Sequence, residues 1–185
     1  KLERSAQVDA YIQAVRSTLS KGTPSVEDLG MLSALQQLYT ISENEHKTLA
    51  KQVKRELGLP DETAIILAID DDPPVLEFLV HILKQTYLNV QTADNAQAAV
   101  PLLEQLPPNL IICDVALPGI GGFTFYENIQ KGEYGDSLKS VPFVFASVLG
   151  DQYLINAAKQ LGAKAYLVKP FTRDTLENTI KHALM

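Results

Sequence analysis

Five polar residues stand directly after short apolar segments and are the side chains best placed to do chemistry. They are Asp70, Asp71, Asp114, Ser147 and Lys169. Carboxylates, ammonium groups and hydroxyls are costly to bury without partners, so their repeated position at segment ends indicates one shared site. Three neighbouring carboxylates repel one another and favour a hard divalent cation. Magnesium is the predicted ion, because it takes oxygen ligands, keeps several waters and bridges to phosphate oxygens.

Phosphoryl transfer is the chemistry that this set of groups would support. A lysine and a hydroxyl opposite the metal would clamp the equatorial oxygens of a transferring phosphoryl group, and an aspartate can form an acyl phosphate. Asp114 is the candidate nucleophile, since it ends an apolar run over residues 109–113. On this stretch alone, Asp114 could equally cap the turn through residues 117–119. Capping leaves the other four polar groups unexplained, which favours the site.

The elements that must position these groups are short apolar strands alternating with helices, from about residue 62 onward. Unbroken apolar runs are typical of strands buried on both faces of a parallel sheet, and their alternation with helical segments predicts βαβ units. The carboxyl ends of such strands meet at one edge, where ligands bind. The predicted strands are 64–69, 88–92, 109–113, 141–146 and 165–168.

The helices between these strands carry their own start and stop signals. Asp94 is the predicted cap of the second helix of this region, and Pro101 is expected to kink that helix or delay its regular part. Residues 132–140 read as a polar loop. A later helix over residues 151–161 ends at Gly162, and the last helix covers residues 172–184.

The first 60 residues predict a small three-helix module of unknown role, separate from a second domain over residues 63–185. Apolar residues at helical spacing mark the first helix, which ends at residues 21–24. Ser25 is the predicted cap of the second helix, and Ser42 with Glu45 has capping-box spacing. Gly58 and Pro60 close the third helix. The second helix is expected to bury the stripe Leu29, Leu32, Leu35 and Leu38.

His46, on the third helix, is interpreted as a solvated surface residue rather than a phosphoacceptor or metal ligand. Neither a histidine nor a cysteine lies at ligand spacing from it, and charged Glu45 and Lys47 flank it.

Composition excludes some classes of function. The net charge of -6 argues against a broad nucleic-acid footprint, which needs clustered lysine and arginine. The single cysteine, Cys113, reads as a small buried apolar residue in a reducing compartment. The sequence shows neither an apolar run of membrane-spanning length nor a signal peptide, so a cytoplasmic location is predicted.

Three motifs in the second domain resemble the receiver domain of two-component response regulators. They are the acidic motif at residues 69–73, the phosphoacceptor motif at 114–119 and the lysine motif at 168–171, and the Ser147 hydroxyl agrees in order and spacing. The resemblance covers residues 63–185. It implies a flavodoxin-like, doubly wound α/β fold whose five parallel strands have the order 2-1-3-4-5. It also implies a protein that catalyses only its own phosphorylation and dephosphorylation.

The resemblance implies a role for each site residue. Asp114 would accept a phosphoryl group from a histidine kinase or phosphotransfer protein. Asp71 and Asp114 would ligate Mg²⁺ directly, Asp70 through water, and the Ala116 carbonyl would be a further ligand. Lys169 would pair with the phosphoryl group. Ser147 would hydrogen-bond the phosphoryl group, and Tyr166 matches the aromatic switch that moves with that hydroxyl.

The resemblance also implies partner contacts. The fourth helix, fifth strand and fifth helix of the domain would form a face for homodimers or other partners, and at least one of Leu149, Tyr153 and Leu154 is expected in the core. Direct DNA binding is not expected.

Two alternatives were weighed against this function. A haloacid-dehalogenase-like phosphatase needs a second aspartate two residues after the nucleophile, where this chain has Ala116. A pseudo-receiver, which would act as a phosphorylation-independent interaction module, stays open, although the complete set of polar groups argues against it. Val148 departs from the small residue usual beside the hydroxyl and could slow phosphoryl entry or shield the product from water.

Overall fold

The structure, a computed structural model, describes residues 3–22, 24–59, 61 and 63–184, which belong to two compact units divided after Asp61. Parts of three predicted features lie outside the described residues: Thr23 in the first helix break, Pro60 at the end of the third helix, and Glu62 at the predicted boundary. Within these described ranges, no helix has the combined length and apolar character needed to cross a membrane.

The first unit consists of three helices, α1 (Arg4–Ser20), α2 (Val26–Leu38) and α3 (Glu43–Glu56). Both predicted serine caps are confirmed. The Ser25 hydroxyl accepts a hydrogen bond from the Asp28 amide, and the Ser42 hydroxyl accepts one from the Glu45 amide. In each case the acidic side chain accepts a bond from the serine amide in return, so two otherwise unpaired amides are satisfied at each helix start.

The core of the first unit is small and lies between the three helices. Its buried apolar residues are Tyr11, Val15, Leu32, Ile41 and Val53. The predicted leucine stripe of α2 is only half correct, because Leu29 and Leu38 are exposed. The reason is that α2 contributes a narrow face to this core, with Leu32 buried and Leu35 partly buried.

His46 has a partner that the sequence did not predict. Its Nδ1 atom lies 2.6 Å from the hydroxyl of Tyr11, a residue that is completely buried. Burial raises the pKa of Tyr11, and the charge of Glu43 raises it further. The interpretation of His46 as a solvated surface residue is therefore only partly correct, because the side chain is half-buried and α1 packs over one edge of its ring.

The second unit is a parallel five-stranded sheet between helices, in the order β2-β1-β3-β4-β5, which confirms the predicted fold class. Apolar clusters fill both faces of the sheet, as its unbroken apolar strands require. The strands are β1 (Ile65–Ile69), β2 (Asn89–Ala93), β3 (Leu110–Cys113), β4 (Phe143–Ser147) and β5 (Ala165–Val168). The helices are α4 (Pro73–Leu83), α5 (Ala96–Gln105), α6 (Gly122–Lys131), α7 (Gln152–Leu161) and α8 (Arg173–Leu184).

Local details of α5 differ from the sequence prediction. Its cap is Asn95 and not Asp94, because the Asn95 side-chain oxygen accepts the amide of Ala98. Asp94 instead accepts a hydrogen bond from the Asn95 side chain. Pro101 lies inside the helix, which continues on both sides of it.

Two further predictions on the α6-to-α7 side need correction. The predicted polar loop contains a short 3₁₀ helix, Asp136–Ser140, that buries Leu138. None of the three residues considered for the core near α7 is fully buried: Leu149 and Tyr153 are exposed and Leu154 is half-buried. The residue that α7 buries is Ala158. The helix therefore contacts the sheet through a small side chain.

Candidate functional site

Strand pairing brings the two central carboxylates together. Ile69 at the end of β1 is paired with Cys113 at the end of β3, so the next residues, Asp70 and Asp114, emerge side by side. The Asp114 amide donates to the Ile69 carbonyl at 2.8 Å, which continues the ladder into the site. The strand order reverses between β1 and β3, and this is the position where doubly wound sheets open a crevice for ligands.

Three carboxylates form a compact cluster at this edge. Oxygen atoms of Asp70, Asp71 and Asp114 lie within 4.8 Å of one another. Asp70 is 1% exposed and Asp114 is 6% exposed, whereas Asp71 faces solvent. Two buried acids beside one solvated acid form an oxygen-rich cluster with an open side, which suits a hard cation that keeps part of its water shell.

Lys169 supplies the positive charge of the cluster. Its Nζ atom donates to Asp70 Oδ2 at 2.6 Å and lies 3.5 Å from Asp114 Oδ1, with the lysine side chain only 10% exposed. Burial raises the pKa of Asp70, and the hydrogen bond from Lys169 offsets only part of that effect. Burial, with the nearby acids, also raises the pKa of the Cys113 thiol well above its usual range, so this thiol is unreactive.

The turn after β3 fixes the position of Asp114. Its Oδ1 atom accepts the amide of Val115 at 2.8 Å. Gly122, the first residue of α6, packs directly on the Asp114 backbone, where an added Cβ would lie 2.1 Å from the carbonyl oxygen. This role of Gly122 was not predicted from the sequence. The available signal was the glycine pair at the helix start, where close backbone contact requires the absence of a side chain.

The Ser147 hydroxyl is completely buried at the end of β4 and accepts the Leu149 amide at 3.3 Å. The Lys169 amide donates to the Ser147 carbonyl at 2.7 Å, so the two residues are backbone neighbours. Tyr166 on β5 donates its hydroxyl to the Leu149 carbonyl at 2.6 Å. Burial raises the pKa of Tyr166, and a hydrogen bond with Ser147 partly opposes this. Ser147 and Tyr166 therefore hold the same loop segment.

A cleft of about 520 Å³ opens above the acidic cluster. Its polar floor includes Asp70, Asp71, Asp114 and Lys169. Its walls are apolar and consist of Pro74, Val75, Phe78, Val148, Pro170 and Phe171. Of these, only Val148 was predicted from the sequence to lie beside the site. Ala116 lies on the exposed turn that follows Asp114. Of the predicted site residues, the cleft thus collects three aspartates and the lysine, whereas Ser147 is buried and is not among its lining residues.

This fold and site define a class of protein: a doubly wound α/β domain with an acidic cleft and one lysine at its topological switch point. A sequence profile described as the response regulator receiver domain matches residues 66–181. Because this match covers more than half of the chain, the chain belongs to the response regulator receiver family.

Individual relatives agree with this assignment. The chain is 29% identical to chemotaxis protein CheY-3 of Vibrio cholerae over 116 residues, which is 62% of this chain and 87% of that protein. It is 28% identical to protein PilH of Pseudomonas aeruginosa over 121 residues, which is 65% of this chain and 98% of that protein. Among solved structures, chemotaxis protein CheY4 of Vibrio cholerae matches with a TM-score of 0.60 at 28% identity, over 66% of this chain and 99% of that one.

Proposed function

We propose that the second unit is a phosphoacceptor switch of a two-component pathway, in which Asp114 receives a phosphoryl group from a phosphohistidine of a histidine kinase or phosphotransfer protein. The observation that carries this proposal is the environment of Asp114. A nearly buried carboxylate lies at the floor of an open cleft, 3.5 Å from Lys169 Nζ and within 4.8 Å of two other acids.

Magnesium is the cation that this donor set fits, because all three side-chain donors are carboxylates and one side of the cluster is open to water. Asp71 and Asp114 would hold it directly, Asp70 through water, and the Ala116 carbonyl would complete the protein ligands. When bound, the ion offsets negative charge on the carboxylates and on the entering phosphoryl oxygens.

The proposed step is a displacement at phosphorus. A carboxylate oxygen of Asp114 forms a new P–O bond, the P–N bond of the donor breaks, and the electron pair returns to the imidazole nitrogen, which takes up a proton. Lys169, which now donates to Asp70, would also donate to the phosphoryl oxygens, where negative charge is concentrated. The chain thereby catalyses its own phosphorylation and dephosphorylation and acts on no separate metabolite.

The phosphoryl group becomes a signal through Ser147 and Tyr166. A phosphoryl group on Asp114 offers an acceptor for the Ser147 hydroxyl proton, and movement of the hydroxyl toward it would release the Leu149 amide that the same oxygen now accepts. Because Tyr166 holds the Leu149 carbonyl of that same loop, loss of the Ser147 contact alters the surface around α7 and β5. To move a two-state balance from 1:99 to 99:1, phosphorylation must favour one state by about 5.5 kcal/mol.

The same proposal covers partners and location. The face formed by α7, β5 and α8 would bind a partner protein or a second copy. DNA is not the expected partner, because the chain carries a net charge of -6. A cytoplasmic location accords with the free, buried thiol of Cys113, which suits a reducing compartment.

The test is phosphorylation by acetyl phosphate with Mg²⁺. The product is detected by mass spectrometry of the intact chain and by its retardation in a gel. We expect one acid-stable, base-labile phosphoryl group on the wild-type chain, which disappears in Asp114→Asn or when EDTA removes the metal. Asp94→Asn is the matched control, because Asp94 is exposed and does not line the cleft. A wild-type chain that stays unmodified while it binds Mg²⁺ would instead indicate a phosphorylation-independent interaction module.

A further inference from the structure

The cleft above Asp114 has more room than a phosphoryl group alone would fill. Its volume of about 520 Å³ lies within the range of about 300–1,000 Å³ that is typical of pockets for whole small molecules. The groups that would engage a phosphoryl group and its metal, the three clustered aspartates and Lys169, form its floor. The remaining space lies between the apolar walls, and it suits the part of the donor that carries the phosphoryl group.

These walls come from three segments that the fold brings to the same edge of the sheet. Helix α4 contributes Pro74 and Phe78, which are four positions apart and therefore lie on the same side of the helix. The segment after β5 contributes Phe171, whose ring centroid lies 6.0 Å from that of Phe78. Val148, which follows β4, also lines the cleft. The walls therefore form an apolar surface in the same cleft as Asp114.

Phe78 is a wall residue that packing of the core does not explain. Helix α4 packs against the sheet through the buried residues Leu79, Ile82 and Leu83. Phe78, by contrast, is 38% exposed. Aromatic side chains bury large apolar areas and dominate the energetics of the contacts that they make. An exposed ring in the wall of this cleft therefore favours a role in binding.

The charges of the cleft limit what can lie between its walls. Among the described residues that line it, the acids are Asp70, Asp71, Asp72 and Asp114, and Lys169 is the one cation. Lys169 already donates to Asp70 and is the proposed partner of the phosphoryl oxygens. A second negative charge on the donor would be repelled by the remaining acids. The part of the donor that carries the phosphoryl group should therefore be apolar and without negative charge.

We infer that the cleft selects its donor by this carrier group, and that Phe78 is a specificity-determining residue for donors whose phosphoryl group is attached to a flat apolar ring. This inference rests on the proposed phosphorylation of Asp114. The donor ring lies against Phe78 and Phe171 both before and during transfer, so it stabilises the bound donor and the transition state equally. Uniform binding of this kind lowers KM and leaves kcat unchanged.

The test compares two acyl phosphates with different carrier groups, acetyl phosphate with a methyl group and benzoyl phosphate with a phenyl ring. With either donor an Asp114 oxygen forms the new P–O bond, the P–O bond of the donor breaks, and its electron pair leaves on acetate or benzoate. Initial rates are measured on the full chain with Mg²⁺ over a range of donor concentrations. We expect KM to be about tenfold lower for benzoyl phosphate, the lower end of the discrimination that an apolar pocket provides. The two kcat values should be similar, because acetate and benzoate are leaving groups of similar basicity.

Variants at Phe78 assign the preference to this residue. Phe78→Ala should raise KM for benzoyl phosphate to near the value for acetyl phosphate, and an unchanged kcat with acetyl phosphate would show that the site is intact. Phe78→Leu should keep part of the preference, because leucine retains an apolar contact. Leu106→Ala is the matched control, since Leu106 is 41% exposed and is not among the described residues that line the cleft. This control should leave both KM values unchanged.

Binding without transfer provides an independent measurement. Phenylphosphonate and methylphosphonate carry the same anionic group and cannot donate it, so each competes with acetyl phosphate through binding alone. Phenylphosphonate should inhibit the wild-type chain at about tenfold lower concentration than methylphosphonate. This difference should be lost in Phe78→Ala and kept in Leu106→Ala.

Three results would overturn the inference. Equal KM values for the two donors on the wild-type chain would do so and would leave the proposed phosphorylation of Asp114 intact. A preference for benzoyl phosphate that persists in Phe78→Ala would show that the ring contacts another surface. Failure of both donors to modify Asp114 would overturn this inference together with the proposed function.

Discussion

Replacing Lys169 by methionine should destabilise the second unit by about 3 kcal/mol at neutral pH. Lys169 is a nearly buried cation between two buried acids, 2.6 Å from Asp70 and 3.5 Å from Asp114. Removing one partner of a buried ion pair costs about 3–5 kcal/mol, because the other charge is left without compensation. We expect the lower end of that range, since Asp70 can take up a proton in the variant.

The pH dependence of this loss has a definite sign. Burial raises the folded-state pKa of Asp70, so its contribution to stability is present below the unfolded pKa and is lost as pH rises through the folded pKa. Lys169 lowers the pKa of Asp70 in the wild-type chain. Without Lys169 that pKa rises further, and the variant loses stability over a pH window that extends closer to neutrality. The difference between wild type and variant should therefore be larger at pH 8 than at pH 5.

Cys113 offers an assay confined to the second unit. It is the only cysteine of the chain, it lies in β3, and it is completely buried. Pulsed thiol labelling across a urea series, in buffer with EDTA, reports the opening of the sheet. Asp70→Asn combined with Lys169→Met should recover part of the stability, because the orphaned acid becomes neutral. A loss below about 1 kcal/mol, or a loss equal at pH 5 and pH 8, would refute the reasoning.

Three further predictions concern single positions. Gly122→Ala should destabilise the second unit by about 1–3 kcal/mol by overpacking and slow phosphorylation of Asp114. Gly121→Ala should have a mild effect, because its Cβ would meet a carbonyl at an ordinary 3.4 Å. Equal effects of the two variants in thiol labelling and in acetyl phosphate assays would contradict this prediction. Pro101→Ala should stabilise the second unit by about 1 kcal/mol or more, since α5 regains an amide donor, and a lower urea midpoint would contradict it. The Ser25 hydrogen bonds lower the pKa of Asp28 to about 2. The contribution of Asp28 to the stability of the first unit is therefore present above the unfolded pKa and lost as pH falls toward 2. Helix content measured by circular dichroism should be less sensitive to acid in Asp28→Asn than in the wild type.

The residue pattern by itself determined the parallel sheet and most of the site, whereas the strand order followed from the resemblance to receiver domains. Unbroken apolar runs ending in polar residues require a parallel sheet, and parallel strands deliver their carboxyl ends to one edge. Asp70, Asp114 and Lys169 could therefore be placed together from their positions in the chain alone. The two serine caps were equally predictable, because a cap depends on residues only three positions apart.

Tertiary structure decided everything that depends on contacts between distant segments. Lys169 bonds Asp70 more closely than Asp114, and Phe78 and Phe171 form part of the apolar cleft wall. Both features join residues that are nearly 100 positions apart in the chain. Helical periodicity showed which side of α2 was apolar but not how much of it neighbouring helices cover, so Leu29 and Leu38 were misplaced. Local pattern sets which residues can be buried, whereas packing of the whole unit sets which of them are.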